Sequence, residues 1–113
     1  MLIVSFSDIR ADARVLKQVN EFSRDFDITT CSYGERPEGS AHHIQIPSDR
    51  ISWAYDRKDL ITFRYRKAYW SNPAVRYAAS QLRGRNFDVV LADDMDTVPL
   101  ALSLNPRFGV HAD

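Results

Sequence analysis

Phe87-Asp88-Val89-Val90-Leu91-Ala92, followed at once by Asp93-Asp94-Met95-Asp96-Thr97, decides how the rest of the chain is read. The first six residues are short, β-branched and mostly apolar, which predicts a buried strand. Val98 to Leu104 then reads as a short helix. Pro99 falls in its first turn, where a missing backbone N–H costs nothing. A strand, an acidic turn and a helix in such quick succession form half of a βαβ unit. The chain carries the same pattern elsewhere.

At the amino terminus, Leu2-Ile3-Val4-Ser5-Phe6 is closed by Ser7-Asp8 and predicts a first strand buried on both faces. Ala11, Val15, Val19 and Phe22 then recur at helical spacing, with Leu16 beside them and Arg14, Lys17, Glu21 and Arg24 on other faces. The expectation is an amphipathic helix capped by Asp8 or Asp12. Asp27–Tyr33 is rich in β-branched residues and stops at Gly34, so it predicts a second strand. Glu35–Ala41, with Pro37 and Gly39, is a loop. His42–Pro47 alternates polar and apolar residues and predicts an edge strand.

From about Asp56 the pattern becomes helical, with Leu60 or Ile61, Tyr65, Ala68 and Tyr69 in one stripe. Asn72-Pro73 starts a further helix, with asparagine as N-cap and proline at the first helical position. Val75, Ala78, Ala79 and Leu82 give it an apolar face that ends near Gly84. Gly109–Asp113 reads as the start of a last strand. Strands alternating with helices predict a single α/β domain: a Rossmann-like, doubly wound parallel sheet of order 3-2-1-4-5. Ligands of such sheets bind beyond the carboxyl ends of the strands at the topological switch point. That rule selects Ser7, Asp8 and Arg10 from one loop and Asp93, Asp94, Asp96 and Thr97 from the other.

The chemistry of these loops narrows what they hold. No G-x-G-x-x-G stands at the first strand-to-helix turn, so a dinucleotide fingerprint is absent. Asp94-x-Asp96 offers the oxygen ligands that hard cations take. The reading adopted is different: Asp96 caps the following helix, and the carboxylates accept hydrogen bonds from sugar hydroxyls. Arg10 either meets a phosphate or pairs with Asp8 or Asp12. His42 and His43 are neighbours on a strand and point to opposite faces, so they read as edge-strand surface rather than as a metal pair. Cys31 reads as a small buried hydrophobe, and His111 is only a weak candidate for a general base.

Composition sets the outer limits. The chain has 113 residues, a length for one domain. One cysteine excludes an internal disulfide framework and points to a reducing compartment. No apolar run reaches the ~20 residues of a membrane span, and MLIVSFSD has no basic start, so the expectation is a cytoplasmic protein without a secretory signal. Net charge is zero but polarised. Residues 1–49 carry five Lys/Arg against eight Asp/Glu, residues 50–85 nine against two, and residues 86–113 one against five. The middle segment also holds Trp53, Tyr55, Phe63, Tyr65, Tyr69, Trp70 and Tyr77. It is expected to meet the inner face of an anionic membrane peripherally, or else to be a solvated helix face. Nucleic acid is not expected as a partner, because the acidic flanks would repel phosphates.

Two stretches carry a resemblance. Ser7-Asp8 through Arg14-Val15-Leu16-Lys17-Gln18-Val19 is similar to the first helix of family-4 glycosyltransferases with the GT-B fold. Ala92-Asp93-Asp94-Met95-Asp96-Thr97-Val98-Pro99-Leu100-Ala101-Leu102 resembles that family's ND-x-DT-x-P-x-A turn and helix, and Arg66–Pro73 is similar to the sequence before it. Asp93 stands where relatives usually carry Asn, and the glycine-rich first loop of many members is missing. Asp113 matches the Asp of the family's D-x-H-E. The resemblance implies an amino-terminal, acceptor-side half of a GT-B enzyme. The histidine and the carboxyl-terminal domain that binds the nucleotide-sugar would lie beyond it. It further implies retaining transfer without an obligatory metal or other cofactor, no catalytic residue in these 113, and no activity for them alone. Asp8, Arg10, Asp94, Asp96 and Thr97 are the expected contacts of a sugar or lipid-linked acceptor. A stand-alone Rossmann-like binding module without catalysis is the alternative.

Overall fold

The computed structural model describes residues 1–52 and 69–112. The helix expected from Asp56, with its stripe and its cations Arg57, Lys58, Arg64, Arg66 and Lys67, lies outside the described residues apart from its Tyr69 end. The elements run β1 (Leu2–Asp8), α1 (Ala13–Phe22), β2 (Thr29–Tyr33), β3 (His42–Ile46), α2 (Pro73–Leu82), β4 (Val90–Ala92), α3 (Val98–Ser103) and β5 (Val110–Ala112). The five strands form one sheet of order β3-β2-β1-β4-β5, and every pairing is parallel. The protein is a Rossmann-like α/β domain, as its strand–helix alternation predicts.

Alternation along each strand assigns the two faces. Leu2, Val4, Cys31, Ile44, Ile46, Val90 and Ala92 turn to one side and pack with Val75, Ala78 and Leu82 of α2 and Leu100 and Ala101 of α3. Ile3, Ile28 and Leu91 turn to the other and meet Val15 and Val19 of α1. β1 is buried on both faces from Leu2 to Ser5, which is why its sequence reads as a nearly continuous apolar run. Burial pushes the Cys31 thiol up to about 12, so Cys31 is inert packing.

Helix starts follow local chemistry. Asp8 and Asp12 both act as caps, one after the other. Asp8 accepts from the Arg10 N–H at the head of the 3₁₀ turn Ile9–Ala11, and Asp12 accepts from the Val15 N–H at the head of α1. Asn72 accepts from the Ala74 N–H with Pro73 at the first helical position, as Asn72-Pro73 predicts. β1 runs on through Ser7 and Asp8, past the expected Leu2–Phe6, while β2 and β4 are shorter than the sequence suggests. β2 starts at Thr29 and β4 at Val90, because the residues before them lie outside the ladder with β1.

Candidate functional site

Both acidic loops leave the carboxyl ends of β1 and β4, the two central strands from which the chain winds in opposite directions. An irregularity in β1 shapes the junction. Val4 pairs with Cys31 and Asp8 with Tyr33, so β1 spends four residues where β2 spends two. Such a bulge takes backbone groups out of the ladder and re-aims side chains. The pairing of β1 with β4 also ends at Val4–Ala92. Beyond that point the Phe6 N–H donates to Asp94 Oδ2 at 3.1 Å, and Ser5 Oγ donates to the same oxygen at 3.2 Å. Ser5 Oγ also shares a 2.7 Å hydrogen bond with Ser7 Oγ. Asp94 therefore fastens the β4 loop onto β1.

Arg14, on the first turn of α1, reaches the same loop. Its Nη2 donates to the Asp93 carbonyl at 3.3 Å and lies 4.0 Å from Asp94 Oδ1. On the β2 side of the junction, Arg10 Nε is 3.8 Å from Asp8 Oδ1 and its Nη1 is 3.2 Å from Glu35 Oε2. Arg10 is thus ion-paired with Asp8, one of the partners its sequence position offers, and also with Glu35.

The five expected contact residues fall into two groups. Asp8 and Arg10 sit over β1–β2, and Asp94, Asp96 and Thr97 form the turn after β4. Asp8 and Asp94 each keep 37% of their side chains exposed, enough to meet a ligand. Asp96 is half-buried and does not cap the next helix, which corrects that expectation. Thr97 occupies the cap position of α3, and the preceding turn is tied by its hydroxyl: Thr97 Oγ1 donates to the Asp94 carbonyl at 2.7 Å and accepts from the Asp94 N–H at 3.4 Å. Thr97 is fully buried, so it shapes the turn from beneath. Burial first, and the Asp94 carboxylate second, push the Asp96 carboxyl above the usual aspartate range.

Three supports were not legible as site residues. Tyr69 Oη donates to the Asp96 carbonyl at 2.6 Å and accepts from the Leu100 N–H at 3.0 Å, which holds the turn against α3. Gly34 has φ +76°, and a Cβ there would lie 2.4 Å from Asp8 Cγ. His43 is not plain edge surface. Its Nε2 is 2.9 Å from the Gly34 carbonyl and its Nδ1 is 2.7 Å from Thr30 Oγ1, so β3 braces the loop that backs Asp8. His111 lies elsewhere, in an apolar cavity with Met1, Phe22 and Phe26 near the amino ends of the strands, away from the two loops. Among the described residues no group of three or more His, Cys, Asp or Glu side chains is arranged to hold a metal ion.

No protein-family model, curated protein or solved structure matches this chain.

Proposed function

We propose that this chain is the acceptor-binding, amino-terminal domain of a GT-B glycosyltransferase, which moves a sugar from a nucleotide-sugar donor to an acceptor lodged at the β1–β4 junction. The observation that supports this reading is the placement of two partly exposed carboxylates, Asp8 and Asp94, at the carboxyl ends of the adjacent strands β1 and β4. Carboxylates held by backbone N–H groups and arginines keep lone pairs for the hydroxyls of a sugar, and such charge-assisted bonds are short and directional. Arg10 lies 3.8 Å from Asp8 and Arg14 lies 4.0 Å from Asp94, so each carboxylate has a cation beside it. Asp96 widens the acidic rim, and Thr97 sets the turn that presents it.

The resemblance of residues 92–102 to the family's turn motif supplies the reaction class, and with it a donor site in a second domain. No residue of this chain is assigned to the bond-making step. Calorimetric titration of the 113 residues with UDP-glucose and GDP-mannose tests the division of labour. No tight binding is expected. Tight donor binding by these residues alone would overturn the assignment and favour a self-sufficient binding module.

A further inference from the structure

We infer that His43 is a proton-controlled positioning residue for Asp8: the hydrogen-bond chain that holds the Gly34 carbonyl behind Asp8 is complete only when the His43 ring is an imidazolium. The chain starts at the Gly34 carbonyl, 2.9 Å from His43 Nε2, and passes from Nδ1 to Thr30 Oγ1 at 2.7 Å. Thr30 Oγ1 lies 2.9 Å from Ser40 Oγ, which reaches the His42 carbonyl at 2.6 Å. Thr30 and Ser40 are buried, so their hydroxyls must be satisfied by these neighbours. Both ends of the chain are backbone carbonyls, which accept and never donate. Its four links therefore need four hydrogens. The two hydroxyls bring two and a neutral ring brings one, which leaves one link empty. Only the imidazolium, protonated at both nitrogens, fills them all. The longer approaches of Thr30 Oγ1 to the His42 carbonyl, 3.5 Å, and of Ser40 Oγ to the Ile28 carbonyl, 3.4 Å, add acceptors and no hydrogen.

Gly34 transmits the state of the ring. It lies directly against the Asp8 carboxyl, since a Cβ on it would fall 2.4 Å from Asp8 Cγ, and Asp8 in turn accepts the Arg10 N–H. When the ring loses a proton, the Nε2 bond to Gly34 loses its charge assistance, and with it roughly half its strength. Nδ1 then turns from donor to acceptor, and one contact among the buried hydroxyls is left without a hydrogen. Imidazole is the side chain that ordinarily changes charge between about pH 5 and 8, above the range of the carboxylates nearby. The charged groups around the chain are Asp8 and Arg10 at the end of β1, and Glu35, Arg36 and Glu38 on the loop after β2. Arg36 Nη1 donates to the Ser40 carbonyl at 2.6 Å. α1 meets this loop through Val19, Asn20 and Ser23, which carry no charge. His42, next to His43 on β3, belongs to the opposite face of the sheet. The inference concerns how Asp8 is held and stands whether or not Asp8 meets a sugar.

Proton–nitrogen NMR of the histidine rings, followed against pH with no saccharide present, tests it. Protons on both nitrogens of His43 are expected in the acid form. Once the ring is neutral, the remaining proton should sit on Nε2, because the Gly34 carbonyl can only accept. The Gly34 and Arg10 amide resonances should move together with the His43 ring. That movement should be lost in His43→Gln and kept in His42→Gln, a distinction that a merely structural brace would not produce. Circular dichroism checks that each variant is folded, and the ring readout on the parent chain needs no variant. A neutral His43 ring protonated at Nδ1, Gly34 and Arg10 amides that ignore its titration, or a movement that persists in His43→Gln would each overturn it.

Discussion

The carboxylate of Asp94 accepts the backbone N–H of Phe6 at 3.1 Å, joining residues 88 positions apart where β1 and β4 stop pairing. The bulge in β1 and the turn after β4 thus complete each other. Asp94→Ala leaves the Phe6 N–H and Ser5 Oγ without this acceptor. Because the site is part-buried, a loss of about 1 kcal/mol in urea unfolding is expected. Asp94→Asn, which keeps an acceptor oxygen, should lose less.

Gly34 is the second structural requirement. At φ +76° a side chain is already strained, and a Cβ would press on Asp8 at 2.4 Å. Gly34→Ala should cost about 1–3 kcal/mol and move the Arg10 amide resonance, because the Arg10 N–H donates to Asp8. Gly84→Ala provides the contrast. Gly84 also has positive φ, but nothing lies within 4 Å of its Cβ position, so that variant should leave the Arg10 amide unmoved.

The shift at Asp96 gives a pH dependence with a defined sign. Its folded pKa is raised, so the protonated form favours the fold. That contribution is fully present below the unfolded pKa of an aspartate and is lost as pH rises through the raised folded value. An NMR titration should find the Asp96 carboxyl midpoint above that of an unperturbed aspartate. In Asp94→Asn it should move down, because the neighbouring charge is gone, but not all the way, because burial remains the larger cause.

The sheet order was legible because β1, β2 and β4 are announced by apolar, β-branched runs, β3 by polar–apolar alternation, and the helices by caps such as Asp12 and Asn72. The two acidic loops were legible because parallel topology alone brings their strand ends together. What binds Asp94, Gly34 and Asp96 was not. Phe6, His43 and Tyr69 reach them across distances in sequence that no local pattern encodes, and each contact depends on register. Asp96 and Thr97 show the same limit at short range. Both residue types can cap a helix, and Thr97 takes the cap position because the turn closes through its hydroxyl onto Asp94.

Saccharide mapping by amide NMR tests the central claim most directly. The protein is titrated with a panel of neutral mono- and disaccharides while the Phe6, Asp8, Arg10 and Asp94 resonances are followed. Shifts confined to the loops after β1 and β4, and lost in the double variant Asp8→Asn/Asp94→Asn, are the predicted result. Saccharide-induced shifts that cluster away from those loops, or that persist unchanged in the double variant, would contradict an acceptor site at the β1–β4 junction.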